Sequence, residues 1–209
     1  MRNLCVVVCA AALAQAAFGQ VQLVSQSRTL SPSGTPPPAS FGPWTGSGSE
    51  NFSDQGSRGA SQTSDLSVTG ATFSMSGGGS NGIGLTTLNF VFIAQPGVQF
   101  SLTGNTQFLA GPPYPVSGYG TLTFTGPGVN ISTPNFGIFT TIPWSYSGVL
   151  AGGTYTLHVE ATGSGGLQQG TRYYGAGIIQ GSLVLTPTPG AAGLLACCGA
   201  AIGRKRRRE

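Results

Sequence analysis

The chain has 209 residues, of which 35 are glycine and 14 are proline, while only 7% carry a charge. This length is sufficient for one domain with a real hydrophobic core. The net charge of +4 comes from the C-terminus, because residues 20–189 hold three arginines against four carboxylates. That central part therefore has no basic face, which excludes nucleic acid as a partner.

The N-terminus has the parts of a secretory signal peptide. Arg2 supplies the positive charge, an apolar run follows, and the small-x-small triplet 17–19 provides a cleavage site. We predict a signal peptide over residues 1–19, with cleavage before Gln20. Cleavage after Ala16 is the alternative.

The next stretch, residues 20–64, is predicted to contain one strand and a long irregular segment. Residues 20–30 have the apolar pattern of a first strand, whereas residues 31–63 are rich in serine, glycine and proline. Such a composition is typical of loops or of an irregular sheet edge. We therefore expect residues 20–186 to form one domain whose regular body spans 65–186.

Within residues 65–186, apolar residues alternate with threonine and other polar residues, as on half-buried strands. The clearest alternating positions are Leu88, Phe90, Phe92, Val98, Phe100, Leu102, Leu122, Phe124, Tyr155, Leu157 and Val159. Turn signals separate these runs, at 77–79, 95–97, 111–113, 126–128, 151–153 and 163–166. The pattern predicts an all-β fold, an antiparallel β-sandwich of jelly-roll-like form.

The C-terminal tail, residues 187–209, has the physical pattern of a stop-transfer segment. An apolar run at 190–203 is followed by the basic cluster 204–208, which resists translocation and stays cytoplasmic. A helix over that run would be about 21 Å long, whereas the hydrocarbon core is about 30 Å thick. We therefore predict a segment that is held in the membrane for a short time and then cut. A permanent tail anchor is the alternative.

This tail resembles the C-terminal sorting signal of the PEP-CTERM family of bacterial surface proteins. Pro187 and Pro189 match the two prolines of that motif, whereas Thr188 stands where the family has glutamate. The predicted signal residues are Pro187, Pro189, Gly190, Arg204, Lys205, Arg206, Arg207 and Arg208. The resemblance implies an exported protein held briefly in the inner membrane. It also implies two partners, an exosortase-like processing enzyme and exopolysaccharide.

All four cysteines lie in the two targeting segments. They are Cys5 and Cys9 near the N-terminus and the pair Cys197 and Cys198 in the tail. Removal of both segments would leave a mature protein without thiols or disulfides. The Cys197–Cys198 pair is interpreted as apolar filler of the tail helix, with acylation as the alternative.

Candidates for chemistry are few. His158, which is the only histidine, and Glu160 are predicted to share the polar face of one strand, where they are expected to face solvent. The G-x-S-x-G pattern around Ser80 matches serine hydrolases, but its serine needs a strand–turn–helix, and a strand is expected after it. Glu50, Asp54 and Asp65 lack the spacing of a calcium loop. We predict no catalytic residue, metal or cofactor.

Exposed aromatic side chains offer a second possible function, because aromatic rings stack on sugars in carbohydrate-binding modules. The aromatics that could stack in this way are Trp44, Tyr114, Tyr119, Trp144, Tyr146, Tyr173 and Tyr174. Of these, Trp44, Trp144 and Tyr146 are the candidate glycan contacts. The sequence thus favours an exported surface protein with a structural or adhesive, non-catalytic role. A carbohydrate-binding module is the first alternative, and a secreted hydrolase that uses Ser80 or His158 is the second.

Overall fold

The fold was analysed in a computed structural model of the chain. The structure describes residues 20–32, 39–41, 46–54, 58–80, 82–110, 116–133, 140–168 and 170–188. The predicted signal peptide, Trp44 and the tail beyond Thr188 lie outside this part of the chain. Every regular element within it is a β-strand.

The strands are numbered in chain order. They are β1 (Val21–Pro32), β2 (Ala39–Phe41), β3 (Gly46–Asp54), β4 (Arg58–Ser67), β5 (Gly70–Gly79), β6 (Gly82–Ala94), β7 (Gln99–Ala110), β8 (Ser117–Gly126), β9 (Val129–Ser132), β10 (Thr141–Val149), β11 (Gly153–Gly165), β12 (Leu167–Gln168), β13 (Thr171–Arg172) and β14 (Gly175–Thr186).

Two six-stranded antiparallel sheets pack face to face, which confirms the predicted β-sandwich. The first sheet has the order β2-β1-β6-β11-β8-β9, and the second has the order β10-β7-β14-β5-β4-β3. Strand β11 packs on β5 and β14, and β6 packs on β4 and β5. A small hairpin of β12 and β13 links β11 to β14. From β5 to β8, successive strands alternate between the two sheets.

One half of the interior is filled by aromatic rings. This aromatic cluster consists of Phe90, Phe92, Phe100, Phe124 and Tyr155, which are all at most 6% exposed. The rings of Phe92 and Tyr155 lie 5.7 Å apart and stacked, and Phe100 meets Phe124 edge-on at 5.2 Å. These are the separations at which aromatic pairs attract. Rings of this size suit the spacing of about 10 Å that is ordinary between packed sheets.

In the other half, glycine backbones from the two sheets touch. This glycine seam consists of Gly77, Gly175 and Gly177 of the second sheet and Gly84, Gly163 and Gly165 of the first. A Cβ atom on any of them would come within 3.0 Å of backbone atoms in the opposite sheet. Only residues without a side chain allow that approach. The sandwich therefore narrows from the aromatic cluster to the seam.

The seam corrects two turn predictions. Residues 77–79 lie inside β5, and residues 163–165 lie inside β11. The glycines at these positions allow the two sheets to touch, and the chain does not turn there. The signals at 95–97, 126–128 and 151–153 do mark connections, where Gly97, Gly128 and Gly152 have positive φ angles.

The stretch predicted to be irregular also contributes regular structure. Strands β2, β3 and β4 all fall within residues 31–67. The sequence of β4 lacks clear alternation because polar residues occupy inward positions, such as Gln62 and Ser64, each 2% exposed. Backbone pairing places these strands in the two sheets: β4 pairs with β5 and β3 with β4 in the second sheet, whereas β2 pairs with β1 in the first.

Strand β10 lies at the edge of the second sheet and carries a proline. Pro143 pairs with Asn105 of β7, which is the one strand of the sheet that neighbours β10. Proline is tolerated in a sheet where its missing N–H group faces away from the neighbouring strand. The residue therefore leaves a gap in the outward row of donors, which opposes pairing with another chain.

Candidate functional site

The two ends of the described chain meet at one pole of the sandwich, near the aromatic cluster. The side-chain amide of Gln20 donates to the carbonyl oxygen of Thr188 at 2.6 Å, and the Thr188 hydroxyl donates to the carbonyl of Gly97 at 3.2 Å. The backbone N–H of Gln95 donates to the carbonyl of Gln20 at 2.8 Å. We call Gln20, Gly97 and Thr188 the chain-end junction.

The junction lies directly after the last strand. Strand β14 ends at Thr186, and Pro187 and Thr188 are partly buried. The remaining predicted signal residues, Pro189, Gly190 and 204–208, lie outside the described residues, as does the apolar run 190–203. No helix in the part that the structure describes is long and apolar enough to cross a membrane.

A row of polar side chains crosses the outer face of the first sheet. Residues Ser27, Asn89 and His158 are cross-strand neighbours on β1, β6 and β11. The Asn89 amide donates to the Ser27 hydroxyl at 3.3 Å, and Asn89 Oδ1 lies 2.8 Å from His158 Nδ1. On the same face, the Tyr119 hydroxyl donates to Glu160 Oε1 at 2.8 Å. We call Ser27, Asn89, His158, Glu160 and Tyr119 the polar ladder.

His158 and Glu160 are neighbours on one face, as predicted from their spacing. Their Nε2 and Oε2 atoms lie 3.8 Å apart, which is too long for a hydrogen bond. Their side chains are 35% and 24% exposed, so solvent reaches both. The hydrogen bond that Tyr119 donates to Glu160 raises the pKa of the tyrosine, and partial burial raises it further.

The polar ladder contains two side chains of the kinds that commonly bind metals, His158 and Glu160. Its imidazole and carboxylate are one pair, and no group of three or more metal-binding side chains occurs among the described residues. Asp65 is exposed on β4, whereas Glu50 and Asp54 lie within β3. Their positions pair in register with Gln62 and Arg58 of β4.

The structure keeps the two hydrolase candidates apart. Ser80 is 7% exposed and connects β5 to β6, so a strand follows it, not a helix. Its Cα atom packs against Gly165 of β11. Gly165 is seven positions along β11 from His158, and a strand rises about 3.3 Å per residue. Because Ser80 lies beside Gly165, the serine and the histidine are about 23 Å apart. A nucleophile and its base must lie within hydrogen-bond reach.

Trp144 is a packing residue, which corrects the expectation that it offers an exposed ring. It is 7% exposed and faces the core from β10, opposite Gly104. Its ring lies over Gly104 and Gly181, where an added Cβ would collide with it. Tyr146, two residues further along β10, packs partly buried against the same core. Trp44 lies outside the described residues.

A buried arginine lies inside the sandwich between β1 and β4. A bulge between Leu23 and Ser25 shifts the pattern of β1, so that Arg28 faces inward and is 2% exposed. Its Nε atom donates to the hydroxyl of Ser64 at 2.6 Å. Burial lowers the pKa of Arg28, and the charge of Asp65 opposes that shift. The arginine is enclosed, so it contributes to the interior and does not face a ligand.

Asn89 was missed by the sequence analysis, which named Tyr119 only as an aromatic ring that could stack on a sugar. The partners of both residues are distant in sequence. Tyr119 and Glu160, for example, are 41 residues apart and lie on two different strands. The signal that would find them is strand register, which requires the full pairing of β6, β11 and β8.

Comparisons with known proteins provide no further identification. No family model matches this chain, and the search of curated proteins found no match. The chain-end junction and the polar ladder are therefore the two features of the molecule that bear on its function.

Proposed function

We propose that the protein is an exported cell-surface or extracellular-matrix β-sandwich with a structural or adhesive, non-catalytic role. Its tail, residues 187–209, would sort it through the inner membrane to an exosortase-like enzyme. Exopolysaccharide is the proposed matrix partner. The finer description of the fold as jelly-roll-like is also a proposal, supported by the alternation of strands between the sheets.

The chain-end junction carries this proposal. The predicted signal-peptide cleavage site precedes Gln20, and the predicted sorting motif begins at Pro187. The hydrogen bond from Gln20 to Thr188 places these two positions side by side. Each strand of the sandwich lies between them. Removal of both targeting segments at these positions would therefore leave every described strand in place.

An intact-mass measurement on protein from the surface fraction of its native host tests the proposal. We expect a chain that begins near Gln20 and ends near residues 187–190, with or without an added group. Peptide mapping of the C-terminus locates the cut. A chain that still carries residues 204–208 would contradict processing and leave a tail-anchored protein.

A second function, carbohydrate binding, is supported by the outer face of the first sheet. That face presents a tyrosine ring, an imidazole, a carboxylate and rows of hydroxyl groups. The third candidate, a secreted hydrolase, has less support because Ser80 and His158 lie far apart. Binding of the full chain to purified polysaccharide, compared with hydrolysis of the same polysaccharide, separates these two functions.

A further inference from the structure

The outer face of the first sheet has the geometry of a shallow binding surface. The residues of the polar ladder lie on β1, β6, β11 and β8, which are the four inner strands of this sheet. The edge strands are β2 and β9. Four strands span about 14 Å between the outermost strand axes at about 4.8 Å per spacing. Threonines 87, 121 and 123 surround the ladder on this face.

We propose that this face binds an uncharged polysaccharide, with two neighbouring hydroxyls of one sugar donating to His158 Nε2 and Glu160 Oε2. The ring of Tyr119 would stack against a sugar in the same chain. This deepens the second function above, and the site differs from the tryptophan sites predicted from the sequence.

The hydrogen bonds of Asn89 define which atoms are available. Its amide donates to Ser27, so its Oδ1 faces His158 and accepts a hydrogen from Nδ1. In the neutral imidazole the other nitrogen, Nε2, is then an acceptor. Glu160 Oε1 is occupied by the Tyr119 hydroxyl, whereas Oε2 lies 3.8 Å from Nε2. Two solvent-accessible acceptors therefore lie side by side, and each can accept a hydrogen bond from a ligand hydroxyl.

The position of Tyr119 favours stacking. In register it pairs with Thr162, whereas its hydroxyl reaches Glu160, the diagonal neighbour. The side chain must therefore run along the surface of the sheet, at the distance that long side chains span. The residue is 40% exposed, so a ligand can reach its side chain. Flat aromatic faces suit the apolar face of a sugar ring.

The charge of the surface favours an uncharged ligand. Among the described residues of this face, Glu160 is the one carboxylate, and the side chains around it are uncharged hydroxyl, amide and aliphatic groups. A polyanionic polysaccharide would place negative charge against Glu160, which is unfavourable at short distance. Hydroxyl groups of a neutral sugar can donate to both acceptors.

Calorimetric titration of the purified full chain with cellohexaose, maltohexaose and hexagalacturonate tests the proposal. We expect saturable binding of at least one neutral hexasaccharide and weaker binding of the charged one. Glu160→Gln and Tyr119→Ala should each weaken binding about tenfold or more, because a hydrogen bond to a charged group and a stacked ring contribute energies of that size.

Tyr174→Ala is the matched control. Tyr174 is 49% exposed and covers Gly78 on the outer face of the second sheet, so its loss should leave binding unchanged. If Tyr119→Ala does not fold, Tyr119→Phe keeps the ring and should retain most of the affinity. The proposal is overturned if neither neutral sugar binds, if the charged sugar binds more tightly, or if Tyr174→Ala has the same effect as Tyr119→Ala.

This test is independent of tail processing. The proposed surface role explains only where the protein would meet a polysaccharide, and binding by the polar ladder depends on it in no other way. Direct binding by the purified chain succeeds or fails whether or not residues 189–209 are removed in the host. The intact-mass experiment and the titration can therefore fail separately.

Discussion

The two halves of the sandwich interior are held together by opposite means. Around the aromatic cluster, large rings fill the space between the sheets. At the glycine seam, the sheets approach until backbone meets backbone. In the first half, stability depends on side chains that fill the space between the sheets. In the second half, it depends on the lack of side chains, which allows the two backbones to touch. A glycine-rich composition can thus belong to a packed core as well as to loops.

The largest expected effect comes from removing volume in the aromatic half. Phe92 is fully buried and contacts the rings of Phe90, Phe124 and Tyr155. Phe92→Ala should lower the free energy of unfolding by about 4 kcal/mol, because it leaves a cavity. Urea unfolding measures this loss. Phe92→Leu should cost less, and equal losses for the two variants would contradict a role for ring volume.

Adding volume at the seam should cost nearly as much. A Cβ on Gly84 would overlap the carbonyl oxygens of Gly59 and Gly78, which are backbone atoms and cannot rotate away. Gly84→Ala should lower the free energy of unfolding by about 3 kcal/mol, the upper part of the range for overpacking. The control is Gly166→Ala, where nothing lies within 4 Å of the added atom. Equal stability of the two variants would disprove the seam.

A smaller effect is expected where the aromatic half meets the turns. The Tyr155 hydroxyl accepts a hydrogen bond from the backbone N–H of Ala151 and donates one to the carbonyl of Pro127. Tyr155→Phe keeps the ring and removes both bonds, so unfolding free energy should fall by about 1–2 kcal/mol. Thermal unfolding measures the change. A loss as large as that of Phe92→Ala would mean that the turns, not ring packing, dominate this half.

A change outside both halves should have the smallest effect on stability. Glu160→Gln should lower the pKa of Tyr119 toward its ordinary value, because the carboxylate is the main cause of the raised pKa. The stabilisation linked to that shift is present below the ordinary tyrosine pKa and is lost as pH rises through the raised one. Ultraviolet titration follows the phenol. Asp65→Asn, on the other sheet, should leave the titration of Tyr119 unchanged.

The sequence predicted those strands in which each inward position is apolar. Phe90 and Phe92 of β6, and Leu157 and Val159 of β11, alternate with polar residues and lie fully buried as expected. The seam could not be predicted in this way. Glycine runs are turn signals locally, and the close approach of Gly84 to Gly78 depends on the opposite sheet.

The candidate site was predicted only in part, for a related reason. His158 and Glu160 are two residues apart on one strand, so their shared face follows from local geometry. Tyr119 and Asn89 join them through strand pairing. The burial of Trp144 is equally non-local, because the space for its ring is provided by Gly104 and Gly181 on two other strands.

The chain-end junction has a consequence for engineering. Because Gln20 and Thr188 are hydrogen-bonded to each other, a short linker suffices to join them, and new ends can be opened in an exposed turn such as Pro127–Gly128. Because the two ends are adjacent, the sandwich can also be inserted into a surface loop of another protein without moving the two ends of that loop apart.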